Sequence, residues 1–316
     1  MKIVFAGTSE FAIPSLEALV EVGHDVALVV TQADRPIGRG RHIGQTPVKE
    51  SALSLGLELF QPERISSPES LERLFSIGDI DVFVVVAYGQ KIPKSLLEWP
   101  RLKVVNVHGS ILPQYRGAAP IQQAIIDGCK STGVTTMLMD EGWDTGAILL
   151  QDGFDINPDE NADELSRRLA KIGAKLLVRT LDMLQDGKLE PIPQDNSQAT
   201  YAYSLKRDAG AIDWRMTARQ IVNRIHGCTP KPGAFANLGD YQIKLWASAA
   251  VSEQCNDEPG VIVAVDADGV KVATGSGIVL LQELQPESRK RMLAAEWARG
   301  SKIVPGTSFV KQTIIK

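Results

Sequence analysis

The stretch LKVVNVHGSILP, residues 102–113, decides how the chain is organised. The apolar run from Lys103 to Val107 predicts a short buried strand, which the glycine and proline that follow it interrupt. Side chains alternate along a strand, so Asn106 and His108, two residues apart, point to the same side. We therefore predict that an amide and an imidazole project together from the end of a sheet strand.

This pair of side chains favours acyl-transfer chemistry. An amide and an imidazole aimed at one point can both donate to a carbonyl oxygen as it becomes an oxyanion. Asp144, in the loop MDEGWDTG, is a candidate to orient or charge His108, as acyl chemistry regularly requires. The alternative is that Asn106 and His108 form an ordinary hydrogen-bonded turn with no chemistry.

Length and composition indicate an ordinary two-domain protein. The chain has 316 residues, of which 44% are hydrophobic and 23% charged. We expect no membrane contact, because no apolar run approaches the roughly 20 residues that a membrane span requires. Three scattered cysteines, Cys129, Cys228 and Cys255, argue against a disulfide framework and favour a reducing, cytoplasmic location. The cysteines and four histidines have no metal-ligand spacing, so we expect no metal.

The N-terminal part predicts an α/β fold with a Rossmann-like parallel sheet. Lys2–Ala6 and Val26–Val30 read as strands joined through a glycine turn and a helix, which is a βαβ unit. Asp81–Val86 is a continuous apolar strand of the kind found in parallel sheets. The turn GTSEFA lacks two glycines of a dinucleotide-binding fingerprint, so the fold is not predicted to bind NAD.

A second strand end is a candidate to line a ligand pocket. Asp81–Val86 runs into Tyr88 and Gly89. Ligands of open α/β sheets lie beyond the carboxyl ends of the strands. We therefore expect Tyr88 and Gly89 to border the same pocket as Asn106, with the glycine allowing close approach of the backbone.

Residues 31–49 predict a long loop with several cations. Arg35, Arg39 and Arg41 lie in it with almost no acidic residues, as expected of a segment that orders against phosphates. Long loops inside compact domains are usually functional or disordered. The alternative is therefore a solvated, mobile loop without a partner.

The pattern predicts a catalytic domain over residues 1–189, a linker over 190–205 and a C-terminal domain over 206–316. Short strands punctuated by Asp-Gly and Gly-Ser-Gly turns predict a small OB-like β-barrel in the last of these. From Lys206 onward the chain carries 15 Lys and Arg against 11 Asp and Glu, whereas the preceding residues have an acidic excess. This asymmetry points to an anionic partner, with Lys206 and Arg207 as candidate contacts, although it also arises by chance in two-domain enzymes.

The pattern NxHxSxLP, followed downstream by DxG, resembles that of the folate-dependent formyltransferases. These enzymes move a formyl group from 10-formyltetrahydrofolate to an amine. The resemblance implies a metal-free enzyme in which three residues are catalytic and four line the folate pocket. The catalytic residues are Asn106, His108 and Asp144, and the folate-binding ones are Ser110, Ile111, Leu112 and Pro113.

The rest of the chain bears on which amine is formylated. Members of the superfamily formylate glycinamide ribonucleotide, amino sugars or methionyl-tRNA. The stretches GTSEFA, QADRPIGRGR and HGCTPKPGAF resemble the methionyl-tRNA formyltransferases over essentially the whole chain. This implies initiator methionyl-tRNA as the partner, a tRNA-binding C-terminal domain and a loop around Arg39 that contacts the acceptor stem. We also expect a monomer.

Two other classes of function remain open. An amino-sugar-nucleotide formyltransferase would bind a nucleotide with its C-terminal part, and its binding would lack the steep salt dependence of RNA. In a non-catalytic folate- or RNA-binding module, the three polar residues would be incidental. Alanine at Asn106 or Asp144 would then leave turnover unchanged.

Overall fold

The computed structural model describes residues 1–37, 42–251 and 255–309, which form two compact units. Unit 1 comprises Met1–Pro120, Ser131–Phe154 and Ser166–Ala202, and unit 2 comprises Ile121–Lys130, Asp155–Leu165 and Tyr203–Lys316. Two short segments thus group with the C-terminal residues. The division into a domain over 1–189, a linker over 190–205 and a domain over 206–316 remains a proposal.

Fifteen strands and eight α-helices are assigned in the described residues. The strands are β1 (Lys2–Gly7), β2 (Asp25–Val30), β3 (Arg35–Ile37), β4 (His42–Gly44), β5 (Leu59–Phe60), β6 (Val82–Val86), β7 (Val104–His108), β8 (Ser131–Leu138), β9 (Ile148–Asp155), β10 (Ala234–Leu238), β11 (Tyr241–Val251), β12 (Ile262–Val265), β13 (Val270–Ala273), β14 (Ile278–Pro286) and β15 (Met292–Leu293). The helices are α1 (Ile13–Glu21), α2 (Pro47–Ser54), α3 (Pro68–Phe75), α4 (Lys94–Leu97), α5 (Pro120–Ile126), α6 (Ala162–Gln185), α7 (Ala218–Cys228) and α8 (Ala294–Gly300).

Unit 1 contains a seven-stranded sheet with the order β5-β2-β1-β6-β7-β8-β9. The pairs from β5 to β7 are parallel, and β7 pairs antiparallel with β8. The strand β6, with the sequence VFVVV, is buried along its whole length, as expected of a parallel strand covered on both faces. The predicted α/β fold with a Rossmann-like sheet is confirmed.

Residues 31–49 do not form one continuous loop, so that prediction is wrong. The strands β3 and β4 pair antiparallel within it, and α2 begins at Pro47. The Thr46 side chain accepts a hydrogen bond from the Lys49 amide at 3.2 Å, so a threonine cap followed by proline starts the helix early. Arg39 and Arg41 lie outside the described residues.

Unit 2 contains a six-stranded antiparallel sheet with the order β10-β11-β14-β13-β12, and β15 pairs with β14. The helix α7 packs on it through Ile221, Val222 and Ile225, which belong to one apolar core with the strands. Of the predicted small OB-like β-barrel, the antiparallel β-sheet domain is confirmed, and its closure into a barrel stays a prediction. The predicted Gly-Ser-Gly turn separates β13 from β14, and Gly277 has a φ of 86° in it.

No helix in the described part of the chain is both long and apolar enough to cross a membrane.

The α7 capping box gives a test of the local structure of unit 2. Thr217 accepts from the Gln220 amide, and the Gln220 side chain accepts from the Thr217 amide. Thr217→Ala should lower the free energy of unfolding by about 1 kcal/mol, because one helix-end donor loses its partner. Urea unfolding measures this loss, and Thr217→Ser, which keeps the hydroxyl, is the control. An unchanged midpoint for Thr217→Ala, or an equal loss in both variants, would contradict the assignment.

His226 predicts how unit 2 responds to acid. Its ring is buried, its Nε2 lies 3.1 Å from the Ser248 carbonyl oxygen, and burial lowers the pKa of the imidazole. Between that lowered pKa and the unfolded value of about 6.5, the unfolded chain binds more protons. The free energy of unfolding should therefore fall as the pH drops below about 6.5.

The control is His226→Gln, which keeps a side-chain N–H donor but cannot titrate. Urea midpoints between pH 5 and 8 should fall less steeply for this variant than for the wild type. Identical slopes would show that His226 does not contribute to the acid sensitivity.

Candidate active site

Asn106 and His108 lie at the carboxyl end of β7, in the middle of the unit 1 sheet. Asn106 pairs with Val85 on one side and Met137 on the other, and His108 pairs with Thr135. Asn106 is half-buried, and the His108 ring is 7% exposed. A strand held by neighbours on both edges is a rigid support for two side chains that must act at one point.

The His108 ring faces an acceptor at each nitrogen. Its Nε2 lies 3.0 Å from the Tyr115 carbonyl oxygen. A carbonyl can only accept, so Nε2 carries the hydrogen. The other nitrogen, Nδ1, lies 3.7 Å from Asp144 Oδ2, which is ion-pair distance but too long for a hydrogen bond. The ring therefore lies between a carbonyl dipole and a carboxylate.

Asp144 is held at both its carboxylate and its backbone. Its Oδ2 accepts a hydrogen bond of 2.8 Å from the Gly117 amide, and its carbonyl accepts one of 2.8 Å from Gln194 Nε2. The backbone has a φ of 54°, in the left-handed region that aspartate adopts more readily than most residues. The conformation that turns this carboxylate toward His108 thus depends on contacts from distant segments.

The loop that carries Asp144 also has its own internal supports. Asp140 Oδ1 accepts from the Gly142 amide at 2.9 Å and from the Thr145 hydroxyl at 2.7 Å. A Cβ at Gly146 would lie 1.8 Å from the Leu138 carbonyl oxygen. Only glycine fits there, which gives the DTG sequence a steric reason beyond its chemistry.

One polar atom of the Asn106 side chain, Oδ1, is buried without a hydrogen-bond partner among the described residues. Leaving such an atom unpaired typically costs about 1–3 kcal/mol, so native proteins rarely keep one away from a functional site. The amide oxygen therefore remains able to accept a hydrogen bond from a ligand N–H or O–H at the same strand end as the His108 and Asp144 pair.

The turn after β7, residues 109–114, is held by internal hydrogen bonds and by side chains of β8 and β9. The Ser110 hydroxyl donates to the Gln114 carbonyl at 2.6 Å, and the Leu112 amide donates to the Thr135 hydroxyl at 3.1 Å. Ser110 and Leu112 are buried, whereas Ile111 and Pro113 are half-buried. Ser110 thus stabilises the turn through its side chain, and Leu112 does so through its backbone amide.

Tyr88 and Gly89 form the turn after β6. The Tyr88 ring belongs to a core cluster, and burial raises the pKa of its phenol. Its carbonyl accepts from the Thr8 hydroxyl and from Gln32 Nε2, both at 2.8 Å. Gly89 has a φ of 86°, and a Cβ there would lie 2.5 Å from Gln32 Nε2. The turn therefore presents mainly backbone to its surroundings.

The sequence did not indicate that Arg116 and Gln194 are parts of this region. Arg116 is 2% exposed, and its Nε and Nη2 donate to Gln194 Oε1 at 3.0 and 2.8 Å. Its Nη2 also donates to Asn196 Oδ1 at 2.9 Å. The only sequence signal was an arginine next to a glycine in the turn RGAAP, which gives no indication of a partner so far along the chain.

Two of the residues predicted to bind tRNA are exposed. Arg35 is exposed on β3, and Lys206 is exposed just before a short 3-10 helix in unit 2. In the described ranges, no group of three or more His, Cys, Asp or Glu residues could hold a metal. Two surface cavities, of about 540 and 330 Å³, are lined by residues other than Asn106, His108 and Asp144.

Comparison with known proteins gives two family matches and many relatives. The formyl transferase family matches residues 1–181, and the formyl transferase C-terminal domain matches residues 204–302. A methionyl-tRNA formyltransferase of Solibacter usitatus is 46% identical over 303 residues, covering 96% of each chain. Another, from Geobacter sulfurreducens, is 44% identical over 97% of this chain and 96% of its own.

A solved structure has the same fold at much lower identity. It is an N-formyltransferase from Helicobacter canadensis in complex with folinic acid and dTDP-3-aminofucose, with a TM-score of 0.69 and 19% identity. The superposition covers 89% of this chain and 98% of that one. With both parts matched and relatives of this identity along nearly the whole length, the chain belongs to the formyl transferase family, among the methionyl-tRNA formyltransferases.

Proposed function

We propose that this protein transfers the formyl group of 10-formyltetrahydrofolate to the α-amine of methionyl-initiator tRNA. The observation that carries the proposal is the convergence of His108 and Asp144 beside Asn106 at the end of β7. The full-length likeness to methionyl-tRNA formyltransferases supports the tRNA substrate. The folinic acid bound by the Helicobacter canadensis enzyme supports a folate donor on this fold.

The reaction forms one carbon–nitrogen bond and breaks another. The amine nitrogen attacks the formyl carbon, the carbonyl oxygen becomes an oxyanion, and the bond to N10 of the folate then breaks. The Asn106 amide N–H donates to the oxyanion, and the His108 ring, whose two nitrogens face Tyr115 and Asp144, supports it through its positive charge. The amine loses one proton and N10 of the leaving folate gains one, and Asp144, which also orients the His108 ring, helps to move this proton.

The burial of this pair strengthens its electrostatics. The His108 ring is 7% exposed and the Asp144 side chain 16%, so water screens their attraction poorly. A closure of about 1 Å would convert the contact of Nδ1 with Oδ2 into a hydrogen bond, as often happens only when substrate is bound. No metal is needed for these steps.

The contacts to folate and tRNA are part of the proposal. Ser110 to Pro113, with Tyr88 and Gly89, would border the pterin pocket. Because Ser110, Leu112 and Tyr88 are buried, the half-buried Ile111 and Pro113 and the exposed Gly89 would make most of these contacts. Arg35 and Lys206, together with Arg39 and Arg41, would bind tRNA phosphates. We further propose that the enzyme works as a cytoplasmic monomer.

A transfer assay tests the substrate directly. The protein is incubated with labelled 10-formyltetrahydrofolate and either methionyl-initiator tRNA, free methionine or an amino-sugar nucleotide. The label should enter the tRNA alone, and tRNA binding should weaken steeply as salt rises, because phosphate contacts release counterions. Label in the sugar nucleotide with salt-independent binding would instead favour a sugar-nucleotide formyltransferase.

Substitutions at the polar trio test whether the site is catalytic. Asn106→Ala and Asp144→Asn should each lower kcat by roughly 10²-fold or more, because each removes an interaction made in the transition state. Steady-state kinetics with circular dichroism as a folding check measures this. Glu141→Gln is the matched control, since Glu141 lies in the same loop but is 68% exposed. Turnover unchanged in Asn106→Ala and Asp144→Asn would make the trio incidental.

A further inference from the structure

We propose that Gln194, in the segment after α6, is a positioning residue that holds Asp144 in its catalytic conformation. The proposal rests on the function proposed above, and it assigns a role that the sequence pattern does not indicate. Gln194 lies 50 residues from Asp144 along the chain, and its side chain reaches the Asp144 loop directly.

The orientation of the Gln194 amide follows from its partners. Its Oε1 accepts from Arg116 Nε and Nη2, and a guanidinium can only donate. Its Nε2 donates to the carbonyls of Asp144 and Gly146 at 2.8 and 2.7 Å, and a carbonyl can only accept. Both ends of the amide are therefore in use, and a flipped amide would place donor against donor and acceptor against acceptor.

The two carbonyls that accept from Gln194 belong to Asp144 and Gly146, the residues on either side of Thr145. Fixing both restricts the backbone at the turn where Asp144 has a φ of 54°, which most side chains disfavour. The Gly117 amide holds the Asp144 carboxylate from the other side. Gly117 follows Arg116, the residue that orients Gln194, so these contacts close a ring around Asp144.

The same segment also holds the other partner of His108. Thr200 Oγ1 accepts from the Tyr115 amide at 2.8 Å, and the Thr200 carbonyl accepts from the Arg116 amide at 2.9 Å. Tyr115, whose carbonyl accepts from the His108 ring, has a φ of 58°. Both acceptors of the imidazole thus sit on left-handed residues, and Gln194 and Thr200 hold them in place.

Two variants that introduce the same charge distinguish a role of Gln194 in positioning Asp144 from a role in overall stability. Gln194→Glu keeps the size and the contact with Arg116, but it places a carboxylate oxygen against the two loop carbonyls. Asn196→Asp introduces the same charge at the same guanidinium, and the side-chain contact of Asn196 with Arg116 does not involve the Asp144 loop. Both replacements leave the Arg116 cation paired.

We expect kcat of Gln194→Glu to fall roughly 10-fold to 10²-fold, since displacing a catalytic group by about 1 Å can have such an effect. KM for both substrates should stay within about 2-fold of wild type, and Asn196→Asp should retain near wild-type kcat. In an Asp144→Asn background, Gln194→Glu should add little further loss, because both changes act on the same group. A full additional loss there would overturn the proposal.

Hydrogen exchange of residues 140–146 gives a readout that does not depend on activity. The amides of this loop should exchange faster in Gln194→Glu and at the wild-type rate in Asn196→Asp. If wild type fails to formylate tRNA, the proposed function fails, while faster exchange alone still supports the positioning role. Equal exchange in wild type and Gln194→Glu would overturn that role whatever the activity.

A second variant covers the case in which Gln194→Glu does not fold. The Arg116→Met/Gln194→Met pair removes the buried cation together with the amide, so neither group is left unpaired. The same fall in kcat and the same faster exchange of residues 140–146 are expected. Wild-type kcat and exchange in this folded pair would overturn the proposal.

Discussion

The centre of unit 1 is arranged around a buried imidazole that faces an acceptor at each ring nitrogen. His108 is 7% exposed, and its two nitrogens face the Tyr115 carbonyl and the Asp144 carboxylate. Neither acceptor lies on a regular element, and both belong to residues with positive φ. Isolated loops would not keep such conformations, so the rest of the chain must supply the restraint.

Three segments that are distant in sequence provide this restraint. The end of β7 supplies the two side chains on a strand fixed by β6 and β8. The loop over residues 140–146 supplies the carboxylate. Within residues 194–200, Gln194 binds that loop and Thr200 binds the turn at Tyr115. The buried guanidinium of Arg116 orients the central amide because it can only donate hydrogen bonds. Side-chain hydrogen bonds therefore restrain these irregular segments, as backbone hydrogen bonds restrain the strands of the sheet.

Sequence patterns located most helices and strands because the buried side chains of a regular element are apolar residues that recur at a fixed spacing. The strands β1, β2, β6 and β7 were predicted to within a residue or so, since parallel strands are continuous apolar runs. The strand β10 was missed because its sequence, AFANL, is short and follows a turn-rich segment. The β3 and β4 pair was hidden in a stretch of glycine, proline and arginine, a composition that is typical of loops.

By itself, the sequence determined the fold class of both parts, the strand that carries Asn106 and His108, and the glycine-rich loop that carries Asp144. These follow from local propensity and from the two-residue period of a strand. Only the tertiary structure decided that Asp144 lies 3.7 Å from His108. The same is true of the contacts by which Arg116 orients Gln194 and Gln194 binds the Asp144 loop. Arg116 and Gln194 are 78 residues apart and join two irregular segments. A single side-chain contact of that kind has no period, so it becomes visible only when the chain is folded.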